Sequence, residues 1–232
     1  MKPIGVLTAM EEELAPLLEM GEIERVEEVG KNRYYIGKLG GAPVVMAYSK
    51  IGKVFSAITA TTMVLKYQIS HLIFSGVAGA ISPELKIGEI VVATGLCHHD
   101  IDLTSFGHPA GYIPGGEVCY PTDPTLQKLA VEAGKELGLR VWKGRIASGD
   151  QFIADPVRKR WIGEEFGAIA VEMEGGAVGK VTWSFDIPLL VIRAISDTAG
   201  EEAHIDFDTF LQTSSCQSAQ LVRKVLEKLR QI

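Results

Sequence analysis

Residues 168–177 constrain the fold of this chain more than any other segment, because a short apolar run ends there in acidic residues. The run 168–171 is typical of a buried strand, and it leads into Glu172 and Glu174, separated by one methionine and followed by two glycines. Carboxylates are rarely buried without a partner. Ligands of α/β proteins bind where parallel strands end. The segment therefore predicts a ligand site, with capping of the following helix by the acids as the alternative.

The order of predicted elements indicates an α/β fold. Strands alternate with helices, and several strands are continuously apolar, which is typical of parallel strands covered on both faces. We expect one domain over residues 1–232: a three-layer α/β/α sandwich around a mixed, mainly parallel central sheet. Predicted strands are 4–7, 26–29, 34–39, 44–48, 72–74, 90–94, 141–147, 168–171 and 189–195, and predicted helices are 11–20, 53–66, 124–137, 156–165, 176–185 and 207–229.

Composition and charge exclude several other classes of protein. Hydrophobic residues make up 47% and charged residues 22% of the chain, a balance that argues against extended disorder. The formal net charge is −6, without the basic stripe that a nucleic-acid surface needs. No apolar run approaches the roughly 18 residues of a membrane span, and the start lacks the features of a secretion signal. We expect a soluble, cytoplasmic protein that binds neither nucleic acid nor membrane.

The cysteines and histidines do not favour a metal site. Cys97, Cys119 and Cys216 are an odd number without the spacing of metal ligands, which suits a reducing cytoplasm. His98 and His99 are adjacent, and neighbouring side chains on an extended segment point to opposite sides. A structural role is therefore the preferred interpretation, and a metal site is the alternative. We expect no metal and no cofactor.

The segments that follow the predicted strands are rich in small and acidic residues. A glycine-rich segment, 75–80, follows one strand, and Glu172 and Glu174 follow another. Because parallel strands place their carboxyl ends at one edge, these segments should meet in one crevice. The crevice would combine carboxylates and backbone N–H groups with the rings of Phe152 and Phe207. Without an arginine cluster, it suits a hydroxyl-rich, ring-bearing ligand and not a phosphate.

These same segments resemble a known family. The motifs MEEE, SKIGK, GVAG, SGDQFI, VEME and RAISD begin at residues 10, 49, 76, 148, 171 and 193. In this order and spacing they resemble the 5′-methylthioadenosine/S-adenosylhomocysteine nucleosidases of the nucleoside phosphorylase superfamily, over nearly the whole chain. The resemblance implies a homodimer without metal that hydrolyses the adenine N-glycosidic bond in methionine salvage and methyl-cycle recycling. Activity on 6-amino-6-deoxyfutalosine is a further possibility within that family.

The resemblance implies a role for each matching residue. Asp197 is the expected general acid, which stays protonated because burial at an apolar strand end raises its pKa. Glu13 is the expected general base for the attacking water, and Glu174 is expected to bind the ribose hydroxyls more tightly as the sugar becomes cationic. The other expected substrate-binding residues are Met173 beneath the sugar, Phe152 and Ile153 at the base, and Ile51, Val77, Gly79, Ser196 and Phe207.

The segment 98–122 is a long stretch rich in glycine, proline and aromatic residues, with neither helical nor strand periodicity. Such loops in a compact domain are usually functional or form an interface. The family resemblance implies that Leu103, Phe106 and Pro114 reach across a homodimer and line the partner's pocket for the 5′-substituent. Their apolar character fits an interface better than a solvated loop.

Val77 departs from many relatives, which have serine at this position. Valine cannot donate or accept a hydrogen bond, so we expect a difference in substrate range and not in the reaction. Two other functions compete with hydrolysis. A phosphorolytic purine nucleoside phosphorylase would need cationic groups for phosphate, and a non-catalytic nucleoside-binding domain would have no use for a water-activating Glu13.

Overall fold

A computed structural model describes residues 2–199 and 203–231 of the chain, whose strands form one mixed sheet. The strands are β1 (Ile4–Thr8), β2 (Glu22–Val29), β3 (Asn32–Leu39), β4 (Ala42–Tyr48), β5 (Leu72–Ala80), β6 (Ile90–His98), β7 (Cys119–Pro121), β8 (Val141–Ser148), β9 (Ala168–Glu172) and β10 (Leu189–Asp197). The helices are α1 (Glu11–Met20), α2 (Lys53–Leu65), α3 (Pro124–Glu136), α4 (Pro156–Phe166), α5 (Gly175–Ser184) and α6 (Ala203–Leu229).

The sheet combines parallel and antiparallel pairing. Its strand order is β10-β6-β8-β9-β5-β1-β4-β3-β2, with β7 beside β6 and an additional pairing between β10 and β5. Parallel pairs join β1 to β4 and β5, β5 to β10, and β8 to β6 and β9. The long strand β5 runs parallel to β10 and then, at Gly79 and Ala80, antiparallel to β9. The predicted mixed sheet is confirmed.

Helices cover both faces of this sheet, as the apolar strands predicted. Successive side chains of a strand point to opposite faces, so Val6 packs in the cluster with α1, α3 and α6 while Leu7 packs in the cluster with α2 and α5. A smaller cluster holds α4 against β9. The α/β/α layering is therefore confirmed. Within the described residues, none of the helices has the length and apolar content needed to cross a membrane.

The glycine-rich segment 75–80 belongs to a strand that is longer than the predicted 72–74, because β5 continues through it to Ala80. A Cβ added to Gly76 would lie 2.6 Å from Glu13 Oε1 and would also collide with the Arg193 guanidinium. A Cβ on Gly79 would lie 2.6 Å from Asp197 Oδ1. These glycines therefore let buried side chains approach the strand closely, and they do not reverse the chain.

The irregular segment 98–122 contains more structure than its sequence predicted. It includes a 3₁₀ turn at Thr104–Phe106 and the strand β7. Cys119 on β7 lies opposite Cys97 on β6, and the two form a disulfide, which leaves Cys216 as a free cysteine. The assignment of all three cysteines to a reducing compartment did not anticipate this pairing. The disulfide depends on the register between β6 and β7, which the irregular sequence does not reveal.

Candidate active site

The ends of the strands meet around a cavity of about 390 Å³. Residues after β1, β8 and β9 line it, together with the last residues of β5 and β10 and the first turns of α6. The convergence predicted from the sequence is thus observed, although β9 is antiparallel to β5. The predicted site residues that line the cavity are Glu13, Ile51, Val77, Gly79, Phe152, Ile153, Met173, Glu174, Ser196, Asp197 and Phe207.

Glu13 is buried in the first turn of α1 and is surrounded by backbone donors. Its Oε2 accepts hydrogen bonds from the N–H groups of Ala9 at 2.8 Å and Met10 at 3.0 Å, and its Oε1 accepts one from Val77 at 2.9 Å. Burial raises the pKa of Glu13, against the opposing effects of Arg193 and the three N–H groups. A carboxylate held in place with a raised pKa is suited to accept a proton near neutral pH.

Val77 contributes to this arrangement through its backbone and not through its side chain. Its N–H binds Glu13, while the buried isopropyl group forms part of the cavity wall. The first turn of α1 also contains Glu11 and Glu12, which are exposed.

Glu172 and Glu174 have different roles, although only one residue separates them. Glu172 accepts hydrogen bonds from the N–H groups of Glu174 and Gly175 and from the hydroxyl of Ser148, so it caps α5. It also forms a 2.5 Å ion pair with Arg193, which is 1% exposed. The helix-capping alternative therefore describes Glu172. Arg193 lies within β10, so this ion pair joins β10 to the end of β9.

Glu174 turns toward the cavity, and it has weaker electrostatic compensation than Glu172. The Arg193 Nη2 atom lies 3.9 Å from its Oε2, and the N–H of Gly52 donates to its Oε1 at 2.8 Å. Burial and the neighbouring charge of Glu172 raise the pKa of Glu174 to about 8, despite these two contacts. The carboxyl group of Glu174 therefore holds its proton more tightly than an ordinary glutamate, and its ionised form is a correspondingly stronger acceptor for hydroxyl donors.

Asp197 is the last residue of β10, and it is 3% exposed. Its Oδ1 accepts the N–H of Ala199 at 2.7 Å, and its Oδ2 accepts the hydroxyl of Ser196 at 2.9 Å. Burial raises the pKa of Asp197 in spite of these donors. The direction of this shift is the one expected from the sequence, and it favours a carboxyl group that retains its proton.

The remaining wall of the cavity is largely apolar. The rings of Phe152 and Phe207 lie edge to face with centroids 6.0 Å apart. Ile51, which is about half exposed, and Met173 add aliphatic and thioether surface to the lining. Aromatic faces together with a few directed polar groups are typical of pockets that bind flat heterocycles.

The described lining residues include no lysine or arginine. Arg193 lies behind the carboxylates, over the ring of Phe74 at 4.0 Å, and is not part of the lining. Across the described residues, no cluster of three His, Cys, Asp or Glu side chains could hold a metal ion. His98 and His99 are buried, and burial lowers the pKa of each ring. Both therefore have the environment of neutral, structural histidines.

Three predicted residues do not reach this cavity within one chain. Leu103, Phe106 and Pro114 lie on the loop between β6 and β7 and are absent from the described lining. The side chain of Phe106 is 79% exposed, and nearby Ile113 is 45% exposed. Exposed apolar side chains on one loop are typical of an interaction surface.

Some lining residues were missed from the sequence. Gln151, His204 and Asp208 line the cavity, as do Ala9 and Met10. Gln151 lies inside the SGDQFI motif, so its position was a usable signal. His204 and Asp208 lie on the first turns of α6, which the sequence predicts to begin only at residue 207.

The arrangement supports acid–base chemistry on a neutral, ring-bearing ligand. Asp197 and Glu13 are two buried carboxyl groups whose pKa values are raised by burial, and Glu13 accepts hydrogen bonds from three backbone N–H groups where Asp197 accepts one. Between them, Glu174 and the apolar wall could bind a sugar and a heterocycle. Pairs of carboxyl groups in different environments are the usual means of dividing acid and base roles near neutral pH.

Comparisons with known proteins agree with this geometry. The sequence profile described as the phosphorylase superfamily matches residues 3–227. An aminodeoxyfutalosine nucleosidase of Campylobacter jejuni is 46% identical over 229 residues, which are 99% of this chain and 100% of the relative. A 5′-methylthioadenosine/S-adenosylhomocysteine nucleosidase of Bacillus subtilis is 38% identical over 228 residues, 97% of this chain and 99% of the relative.

A solved structure gives the same result for the fold. The 5′-methylthioadenosine/S-adenosylhomocysteine nucleosidase of Helicobacter pylori, crystallised with butyl-thio-DADMe-Immucillin-A, matches with a TM-score of 0.95 at 40% identity. The match covers 98% of this chain and 99% of that chain. The resemblance inferred from the strand-end motifs is confirmed, and this chain belongs to the phosphorylase superfamily.

Proposed function

We propose that this chain hydrolyses the N-glycosidic bond of adenine nucleosides that carry an extended 5′-group. The substrates are 5′-methylthioadenosine and S-adenosylhomocysteine, with 6-amino-6-deoxyfutalosine as a further substrate, and the products are adenine and the 5′-substituted ribose. The observation that carries the proposal is the pair of buried carboxyl groups, Glu13 and Asp197, which have raised pKa values and line one cavity. The names of the relatives from Campylobacter jejuni and Bacillus subtilis support the choice of substrates.

Asp197 acts on the leaving group. Adenine leaves poorly as an anion, so the reaction needs a proton on N7 of the base as the bond to the sugar breaks. Burial raises the pKa of the Asp197 carboxyl, which suits it to donate this proton, while Ser196 and the N–H of Ala199 stabilise the carboxylate that forms. The rings of Phe152 and Phe207 hold the base beside it.

Glu13 and Glu174 act on the sugar. As the glycosidic bond stretches, positive charge develops on the ribose, and the carboxylates around Arg193 stabilise that charge. Glu174 accepts hydrogen bonds from the ribose hydroxyls, and these strengthen as the sugar becomes cationic. Glu13 takes a proton from the water that attacks the opposite face, which completes hydrolysis without a covalent intermediate.

Hydrolysis is favoured over phosphorolysis because the described lining has no lysine or arginine to hold a phosphate dianion. Adenine release in phosphate-free buffer tests this choice directly. Hydrolysis predicts turnover that is independent of added phosphate, whereas a phosphorylase would need it and a non-catalytic binding domain would release no adenine. Parallel assays with the three nucleosides measure the preferred 5′-group and the effect of Val77 on substrate range.

We also propose that the working unit is a homodimer that serves methionine salvage. Exposed apolar side chains lie on α2, including Val54 at 68% and Leu65 at 61% exposed, and Phe106 projects from the β6–β7 loop. Burial of such surface is the main source of affinity in obligate interfaces. In a dimer, Leu103, Phe106 and Pro114 would cover the partner's cavity and contact the 5′-substituent.

Replacement of the proposed acid should remove catalysis while the fold remains. Asp197→Asn cannot donate a proton, so kcat should fall by about 10²–10⁴-fold. Adenine release under saturating 5′-methylthioadenosine is the measurement, with thermal unfolding as a check of the fold. Asp186→Asn, in an exposed turn, is the matched control and should retain wild-type turnover. Wild-type kcat in Asp197→Asn would refute the assignment.

Replacement of the proposed base should separate binding from turnover. Glu13→Gln cannot accept the proton of the attacking water, so hydrolysis should fall by about 10²-fold or more while the substrate still binds. Calorimetry with intact 5′-methylthioadenosine measures binding, and adenine release measures turnover. Glu11→Gln, in the same helical turn but exposed, is the control. Unchanged hydrolysis in Glu13→Gln would show that another group activates the water.

Glu174 should make the protein less stable at alkaline pH. Its pKa rises from 4.5 to about 8 on folding, so the folded chain retains a proton that the unfolded chain releases. The contribution of Glu174 to the free energy of unfolding is complete below pH 4.5 and is lost as pH rises to about 8. Glu174→Gln should therefore gain stability relative to wild type across that window, by at most about 1.4 kcal/mol per pH unit. Urea unfolding at several pH values measures it, and a difference that does not change with pH would contradict it.

A charge on the exposed loop should disrupt the proposed dimer and its shared pocket. Phe106→Asp should weaken dimerisation and raise KM for 5′-methylthioadenosine more than for adenosine, which lacks the thioether. Sedimentation and steady-state kinetics measure the two effects. Val26→Asp, at an exposed apolar position on β2 at the far end of the sheet, is the control and should change neither. A monomeric Phe106→Asp variant with normal kinetics would show that one chain forms the whole pocket.

A further inference from the structure

Among the described residues, the carboxylate of Glu174 accepts one backbone hydrogen bond, and its donor lies far away in the sequence. The N–H of Gly52, at the start of α2, donates to Glu174 Oε1 at 2.8 Å. Gly52 has a φ of 103°, a conformation that other residues rarely adopt. The position of this N–H is therefore set by whatever fixes the start of α2.

Lys53, the next residue, is fixed from two directions. Its backbone N–H donates to Asp150 Oδ1 at 2.8 Å, and its Nζ lies 2.7 Å from both carboxylate oxygens of Asp100. The side chains of Lys53 and Asp100 are only 19% and 14% exposed. A charge-assisted pair that is largely removed from water has a defined geometry, unlike an ion pair on the surface.

Asp100 also holds the segment that carries the aromatic wall. Its Oδ2 accepts the N–H of Asp150 at 2.9 Å, two residues before Phe152. Asp100 therefore joins three separate parts of the chain: the segment after β6, the start of α2 and the segment after β8. Burial raises the pKa of Asp100, but the hydrogen bonds from Lys53 and Asp150 outweigh it and lower the pKa overall.

We propose that Asp100 and Lys53 are positioning residues, which act through Gly52 on the carboxylate that binds the ribose and through Asp150 on the aromatic wall. The inference rests on the proposed function, because it assigns Glu174 to the ribose hydroxyls. Neither Asp100 nor Lys53 lines the described cavity, so their effect on a substrate is indirect.

A displaced start of α2 would change the pKa of Glu174. The groups that face it are Glu172 from β9, Arg193 from β10, Glu13 from α1 and the N–H of Gly52 from α2, of which Glu172 and Glu13 raise its pKa and the other two lower it. If the start of α2 moves away, the donor that stabilises the ionised form is weakened. The pKa of Glu174 then rises further, and a higher pH is needed to ionise the group that holds the ribose.

The test is the kinetics of Asp100→Asn and Lys53→Gln with 5′-methylthioadenosine and its 3′-deoxy analogue. The wild type should prefer the substrate with the intact ribose, because Glu174 accepts from its hydroxyls. Each variant should lose about 10-fold or more in kcat/KM for the intact ribose and less for the 3′-deoxy analogue. The acid limb of the pH profile of kcat/KM should shift to higher pH. The double variant should lose no more than the worse single variant, because both act through one ion pair.

The ratio of kcat/KM for the two substrates does not depend on how much of a variant is folded. It therefore separates an effect on positioning from a loss of stability. Asp123→Asn is the matched control, since Asp123 caps α3 through the N–H of Leu126 and lies outside the described cavity lining. It should leave both the ratio and the pH profile unchanged. A wild-type ratio and pH profile in Asp100→Asn and Lys53→Gln would overturn the inference. Absence of adenine release by the wild type would instead refute the proposed function.

Discussion

The structure of the site depends on one buried cation, Arg193, placed among three buried carboxylates. Glu172 pairs with it at 2.5 Å, Glu174 lies 3.9 Å from it, and Glu13 interacts with the same guanidinium through its charge. One positive charge cannot compensate three negative charges, and desolvation penalises each ionised carboxylate. The pKa values of Glu13 and Glu174 are therefore raised, which gives both groups their capacity to take up protons near neutral pH.

Backbone N–H groups supply most of the remaining stabilisation of the buried carboxylate charges. Three of them bind Glu13, Gly52 binds Glu174, and Ala199 binds Asp197. These donors carry no net charge, and the described cavity lining contains no lysine or arginine that would attract phosphate. A site built this way can stabilise a developing positive charge on a ligand, because its carboxylates are positioned but only partly neutralised.

Close approach of the backbone is the condition for this arrangement. A Cβ at Gly76 would occupy the space of the Glu13 carboxylate, and one at Gly79 would collide with Asp197. In a sequence alone, a glycine-rich run is typical of turns. Only the fold shows that β5 continues there and that the missing side chains make room for the acids of α1 and β10.

The sequence by itself determined the layered α/β fold, because the periodicity of apolar residues depends only on local geometry. The pattern of acids after apolar strands indicated where a ligand site would lie, and the family resemblance singled out Glu13, Glu174 and Asp197 within it. Tertiary structure alone decided the partners of Glu172, which caps α5 and pairs with Arg193 while Glu174 faces the cavity. It also decided the Cys97–Cys119 pairing and the link from Asp100 through Lys53 to Gly52. These contacts join residues far apart in the chain, and their register and burial follow from the folded sheet, which no local pattern encodes.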